Sequence, residues 1–324
     1  MKKIVIITEN FKVPWNPNDI DDFLGGSQEV VVLFAEALKQ SDFDVSVFTL
    51  GETKTETVSR KGILYKDFSL FDYNADFIIL FKINPLKEQR IKNSKIVFWS
   101  SDIQKHVPFH FDKIESTVCL TNYHKTRNNW ENAFVLPHGF DKESLNKNKK
   151  EKIPNTVLYS SSFDRGIETL INSWSTIKKY FPNLKLKITY GFKIANQFAS
   201  NLGKELNSKS EKHIKEVCEI LDIEYLSNIS RNEIEKLYWE SEYWILPLNN
   251  ADSELFCINA IKAQYCGCIP IVNKIGALKE TVSDYIPFDE FVKGNKNIIK
   301  NENTIPSYSW LEIVNKWKEN NLIF

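Results

Sequence analysis

The stretch from Asp252 to Val272 constrains the fold of this chain more than any other. An acidic residue, Glu254, precedes a helical pattern that runs to Gln264, closes at Gly267 and leads directly into the apolar run Ile269–Val272. Four such residues after a glycine are short enough for a strand buried on both faces, so the segment reads as a helix feeding a parallel sheet. The pattern predicts Glu254 at the positive end of that helix, where unsatisfied backbone N–H groups can bind hydroxyl or phosphate oxygens.

Short apolar runs alternate with amphipathic segments along the whole chain, as in a doubly wound α/β sheet. In the first half the runs predict strands over 3–7, 45–49, 77–81, 95–99, 116–120 and 133–136. A polar stretch from Asp141 to Pro154 interrupts them and carries Lys147-Asn148-Lys149-Lys150-Glu151-Lys152. It reads as a solvated linker, with a phosphate-binding patch as the alternative. The pattern then restarts with strands over 156–160, 185–190, 223–226, 243–246 and 269–272, and ends in an amphipathic helix over 307–320 with Trp310, Leu311, Ile313, Val314 and Trp317 at helical spacing. Two Rossmann-like units follow: 1–142, a linker 143–155, 156–305, and a terminal helix 306–324. At 324 residues each unit is long enough to bury its own core.

Lysine plus arginine equals aspartate plus glutamate at 42 each, so no global field draws the protein to nucleic acid or to an anionic membrane. The basic start Met1-Lys2-Lys3 leads into an apolar run too short for a signal peptide, and no stretch reaches the roughly 20 apolar residues of a spanning helix. The five cysteines are odd in number and lack metal-ligand spacing, which predicts reduced thiols and a cytoplasmic protein.

Ligand sites in open α/β sheets lie beyond the carboxyl ends of the strands, and several motifs fall there. Gly25-Gly26-Ser27 opens a helical stretch: paired glycines let a ligand approach bare backbone, and Ser27 is placed to cap the helix. Asp102 closes the run Trp99-Ser100-Ser101-Asp102, with His106 shortly after it, while Thr121 to Lys125 follows a strand and reads as a helix cap. Pro137 and Gly139 flank His138 in a tight turn. In the second half, Ser160 to Ser162 and Asp164-Arg165-Gly166 leave a strand and enter a helix. Arg165 there supplies a guanidinium fork suited to phosphate.

In their order, these motifs resemble glycosyltransferase family 4, retaining enzymes of GT-B fold that use a nucleoside diphosphate sugar. The resemblance spans Gly25 to Lys279 and is strongest from Tyr159 to Gly276. It implies two Rossmann-like domains with parallel sheets facing across a cleft, and a C-terminal helix crossing back to the first domain. It implies Glu254 on the transferred sugar, helped by the backbone of Ser253, Leu255 and Phe256, and Ser161 and Arg165 on the donor diphosphate. Gly25, Gly26 and His138 would lie beside the donor, Asn228 and Ile229 at the nucleotide base, and Asp102 or His106 near the acceptor. Family members carry a second glutamate where this chain has Lys262, and an ammonium has donors only. Lys262 is therefore read as a phosphate contact, as a solvent-facing residue, or as the mark of a site that has lost catalysis.

The expected activity is transfer of a sugar to a glycan, lipid or other hydroxyl acceptor, with no cofactor and no catalytic metal, and with peripheral membrane contact open. Asp19, Asp21 and Asp22 are assigned to an acceptor-side loop. The rival readings are a noncatalytic GT-B binding module and a sugar transferase acting on modified DNA bases. The neutral charge argues against the second rival.

Overall fold

The computed structural model describes residues 1–9, 15–22, 24–50, 56–87, 90–103, 113–189, 208–301 and 305–324, with backbone only at 208–210. The chain divides into two compact units. The first holds the chain up to Asp141, apart from a short piece starting at Asp21, together with Tyr308–Phe324; the second holds that piece and Lys142–Ser307.

The first unit contains β1 (Lys3–Glu9), α1 (Gly26–Gln40), β2 (Asp44–Leu50), β3 (Thr57–Val58), β4 (Leu64–Asp67), β5 (Phe77–Phe81), β6 (Lys95–Trp99), β7 (Ile114–Cys119), α2 (Asn122–Arg127) and β8 (Phe134–Val135). Its sheet runs β3-β4-β2-β1-β5-β6-β7-β8, and only the β3–β4 pair is antiparallel. From β1 to β4 the chain winds outward to one edge, and from β5 to β8 it winds outward to the other, which makes the gap between the carboxyl ends of β1 and β5 a topological switch point. Ile4 to Ile7 and Ile78 to Phe81 are completely buried, because a parallel sheet covered on both faces is apolar along the whole strand.

The second unit contains α3 (Lys142–Lys147), β9 (Ile153–Tyr159), α4 (Ile167–Tyr180), β10 (Lys185–Thr189), α5 (Ser208–Ile220), β11 (Glu224–Ser227) and α6 (Arg231–Glu240). It continues with β12 (Ser241–Leu246), α7 (Ile258–Tyr265), β13 (Ile269–Val272), α8 (Leu278–Thr281), β14 (Ile286–Pro287) and α9 (Phe288–Val292). Its parallel sheet runs β11-β10-β9-β12-β13-β14. Numbered within the unit, that is 3-2-1-4-5-6, the Rossmann order, with its switch point between β9 and β12. The polar stretch after Asp141 holds helix α3, whose Leu145 is fully buried and whose Leu145 carbonyl accepts from Trp239 Nε1 at 2.7 Å.

The terminal helix α10 (Trp310–Glu319) starts with a capping box, in which Ser309 Oγ accepts from Glu312 N at 3.3 Å and Glu312 accepts from Ser309 N at 2.6 Å. Its apolar face, Trp310, Ile313, Val314 and Trp317, is buried in the first unit, where Trp317 lies 5.0 Å from the ring of Phe34 on α1. Gly139 serves this contact. A Cβ there would stand 2.8 Å from Trp310 Cα, so the glycine provides room for the start of α10 and is not needed for a left-handed turn.

Candidate functional site

In the second unit the loops after β9 and β12 converge over the switch point. Tyr159 ends β9 fully buried, and its hydroxyl donates to the Ser162 carbonyl at 2.7 Å. Ser160 is tied into the core: its Oγ accepts from Trp244 Nε1 at 3.0 Å and its carbonyl accepts from Asn259 Nδ2 at 2.6 Å. The chain then turns at Gly166, with φ of 92°, to start α4. A Cβ at Gly166 would collide with the carbonyl oxygen of Pro247, so the two loops meet backbone to backbone at this point.

This clamp sets the side chains. Arg165 Nη1 donates to Glu254 Oε2 at 2.9 Å, and Nε reaches Asp164 Oδ2 at 3.3 Å. The Arg165 and Glu254 side chains are 26% and 16% exposed, so the pair is shielded yet reachable, whereas Asp164 is 70% exposed. Burial opposes the charge on Arg165, but Glu254 outweighs it by attraction and hydrogen bonding, with Asp164 adding to the effect, and the guanidinium is held above its ordinary pKa. Cys257, buried beside them, has its thiol pushed far up by burial and by the Glu254 charge, so it stays protonated.

Glu254 does not stand at a helix terminus. A 3-10 turn at Ala251–Ser253 is capped by Asn250, and Glu254 follows in extended conformation, with α7 starting only at Ile258. Its other oxygen accepts from Phe256 N at 3.4 Å. The anion-binding helix end expected from the pattern is thus replaced by a loop carboxylate facing a guanidinium. Ser253 is half-buried, Leu255, Phe256 and Ser161 are buried, and Asn228 and Ile229 are half-buried between β11 and the Ser230 cap of α6. Lys262, on α7, is 8% exposed, which removes the solvent-facing reading.

The first unit assembles a separate polar cluster at its own switch point. Gly25 is the N-cap of α1, and its N–H donates to Gln28 Oε1 at 2.6 Å. Ser27 lies inside the first turn and does not cap the helix; its hydroxyl accepts from Lys82 Nζ at 3.2 Å. Gly26 is exposed, and a Cβ added to it would meet no atom within 4 Å, so bare backbone faces open space. Lys82 follows β5 directly with a φ of 69°, uncommon for a residue with a side chain, and its Nζ also lies 2.9 Å from Asp102 Oδ2. The carbonyl of Asp102 accepts from Ser100 Oγ and from His124 Nε2, both at 3.0 Å. His124 Nδ1 accepts from Leu120 N at 3.3 Å, which leaves the proton on Nε2. Burial lowers the His124 pKa and keeps the ring neutral. As read from sequence, Thr121 caps α2, accepting from His124 N at 3.0 Å.

Lys82 and His124 are members of this cluster to which the sequence reading assigned no site role. Lys82 carries a usable signal, since it is the first charged residue after a fully apolar strand. His106 lies outside the described residues. His138 is 7% exposed between the rings of Trp99 at 5.3 Å and Trp310 at 5.9 Å, so it is part of the aromatic core of the first unit. Burial, then the positive charge of Lys82, push its pKa from the usual 6.5 down to about 3.

A folded-state pKa below the unfolded one gives a contribution to stability that is complete above pH 6.5 and is lost as the pH falls toward 3. Wild type is expected to lose on the order of 1–2 kcal/mol more than His138→Gln between pH 7 and pH 5, measured by denaturant unfolding. Equal losses in the two proteins would mean that the ring is protonated in the fold.

The family described as "Glycosyl transferases group 1" matches residues 140–313, more than half of the chain. The chain belongs to the group 1 glycosyl transferases. The match takes in both loops of the Arg165–Glu254 pair. No curated protein matches this glycosyl transferase in sequence. Among solved structures, it is similar to AviGT4, a glycosyltransferase involved in avilamycin A biosynthesis, with a TM-score of 0.64 and 12% identity over 98% of this chain and 96% of that one. Sucrose-phosphate synthase from Thermosynechococcus elongatus gives a TM-score of 0.60 at 12% identity, over 86% of this chain and 83% of that one. Anabaena Alr3699/HepE, solved in complex with UDP-glucose, gives 0.56 at 14% identity, over 99% and 91%. At such identities the likeness establishes the fold, which is that of the GT-B glycosyltransferases. Among the described residues no helix is long and apolar enough to cross a membrane.

Proposed function

We propose that the protein is a retaining glycosyltransferase of family 4 type, moving a sugar from a nucleoside diphosphate sugar to a glycan, lipid or other hydroxyl acceptor. The observation that carries this reading is the Arg165–Glu254 juxtaposition at the switch point of the second unit, 2.9 Å apart and reachable from outside. An anion-binding guanidinium and a hydroxyl-binding carboxylate side by side suit the two halves of such a donor. Arg165 would take charge growing on the departing diphosphate, a service that a divalent metal performs in other transferases, so the reading is metal-independent. Glu254 would hold the sugar hydroxyls through the reaction. The acceptor hydroxyl would attack from the face that the diphosphate leaves, and a diphosphate oxygen would take its proton. Asp102, with its carbonyl gripped by Ser100 and His124 and its carboxylate aimed by Lys82, is assigned to the acceptor. The five buried free cysteines accord with a cytoplasmic setting, where nucleotide sugars are also available.

A screen of melting temperature against UDP, GDP, ADP, CMP and TDP and their sugar conjugates tests the reading, because ligands of the native state raise that temperature by mass action. One nucleotide series is expected to stand out, and Arg165→Ala is expected to weaken it about 10- to 100-fold, the worth of a charge-assisted contact. Equal affinity in the variant, measured by calorimetry, would remove Arg165 from the diphosphate site. The second reading, a GT-B module that binds without turnover, is favoured by buried Lys262 at a position where the family resemblance leads one to expect a carboxylate. Selective binding of a donor with no release of its sugar, to water or to any acceptor, would favour it.

A further inference from the structure

We infer that Glu254 is a specificity-determining residue against free nucleoside diphosphate, in addition to its proposed contact with the sugar. The inference rests on the donor-site reading above. Without ligand, the guanidinium assigned to the diphosphate is already engaged: Nη1 by Glu254 at 2.9 Å and Nε by Asp164 at 3.3 Å. A diphosphate that takes the guanidinium fork bidentately has to displace or share with Glu254, and has to approach a carboxylate of its own sign. Because Glu254 is only 16% exposed, water screens that repulsion poorly, unlike the repulsion from Asp164 at 70%.

Complete donor and spent product face this obstacle differently. A nucleotide sugar brings hydroxyl donors that satisfy the Glu254 carboxylate as it leaves Arg165. A free nucleoside diphosphate lacks that sugar, so its ribose hydroxyls lie elsewhere and the partly buried carboxylate is left without its cation. The pair therefore favours donor over product, and its re-formation after transfer speeds release of the diphosphate. This is discrimination by penalising the wrong ligand, here the product. The arrangement depends on the backbone contact at Gly166 and Pro247, which keeps the two loops in register.

The test is calorimetric titration of UDP, GDP, ADP and TDP into wild type, Glu254→Gln, Glu254→Ala, Asp164→Asn and Arg165→Ala, with melting temperatures as the check on folding. For the nucleotide that binds, Glu254→Gln is expected to bind the free diphosphate about tenfold more tightly than wild type, with Glu254→Ala shifted in the same direction. Asp164→Asn is expected to change affinity less than about twofold. The ratio of sugar-conjugate to free-diphosphate affinity should fall in both Glu254 variants. If wild type binds in an Arg165-dependent way and the Glu254 variants bind the free diphosphate equally or more weakly, the inference is overturned and the donor-site reading stands. Equal gains from Asp164→Asn and Glu254→Gln would also overturn it, because the effect would then be general charge. Binding that ignores Arg165, or no binding in any protein, would overturn the donor-site reading and the inference with it.

Discussion

Replacing Glu254 with alanine is expected to lower the rate of sugar transfer by at least ~100-fold, the scale seen when one preorganised polar contact is removed from a reacting centre. The fold should survive. Glu254 lies in an extended loop segment between a 3-10 turn and α7, outside any regular element, and its own hydrogen bonds run to Arg165 and to Phe256 N. Neither β12 nor α7 depends on its side chain. The melting temperature of the variant is therefore expected to stay within a few degrees of wild type, and the loss should fall on turnover. The measurement is release of nucleoside diphosphate from the donor that the melting screen selects, with wild type and variant at equal concentration. Activity close to wild type would take Glu254 away from the sugar. The same substitution is expected to tighten the free diphosphate, so turnover falls although product binding improves. Simple damage to the site would weaken both.

The sheets were legible in the sequence because a parallel strand covered on both faces must be apolar throughout. Phe77–Phe81, Lys95–Trp99 and Ile269–Val272 form strands with the bounds expected of them. The missed strands lack that property. β3 and β14 have two residues each, and in β4 Leu64 is exposed while Tyr65 is buried, so none offers a continuous apolar run. In the polar stretch after Asp141, the single buried residue Leu145 of α3 is too little signal to mark a helix.

The site was legible in its members and not in its pairing. Arg165 and Glu254 each stood out where a helical pattern begins, but they are 89 residues apart, and only the order β9-β12 makes them neighbours. The same holds for Asp102, whose partners Lys82 and His124 come from separate crossovers of the first sheet. His138 misled in the opposite direction. A histidine next to a glycine at a strand end has the pattern of a ligand contact, yet two indole rings cover it, and the glycine serves the helix that carries one of them.

Gly166→Val is expected to be the most disruptive single substitution in the second unit. At φ of 92° a β-branched residue is strained, and the added Cβ runs into the Pro247 carbonyl, a backbone atom at the end of β12 that has no rotamer to change. Together these should cost about 3 kcal/mol or more, and the transition that carries the second unit should fall by roughly 10 °C. Relief requires the β9–α4 loop to lift away from the β12 loop, which takes Arg165 and Glu254 too far apart to hold the two halves of one donor, so binding of the nucleotide sugar should weaken along with stability. Gly26→Ala is the matching control: its Cβ meets nothing within 4 Å, and its melting temperature should match or exceed that of wild type. A Gly166→Val protein that melts with wild type would mean that the two loops do not meet at this backbone contact, and with that the physical basis for pairing Arg165 with Glu254 would be gone.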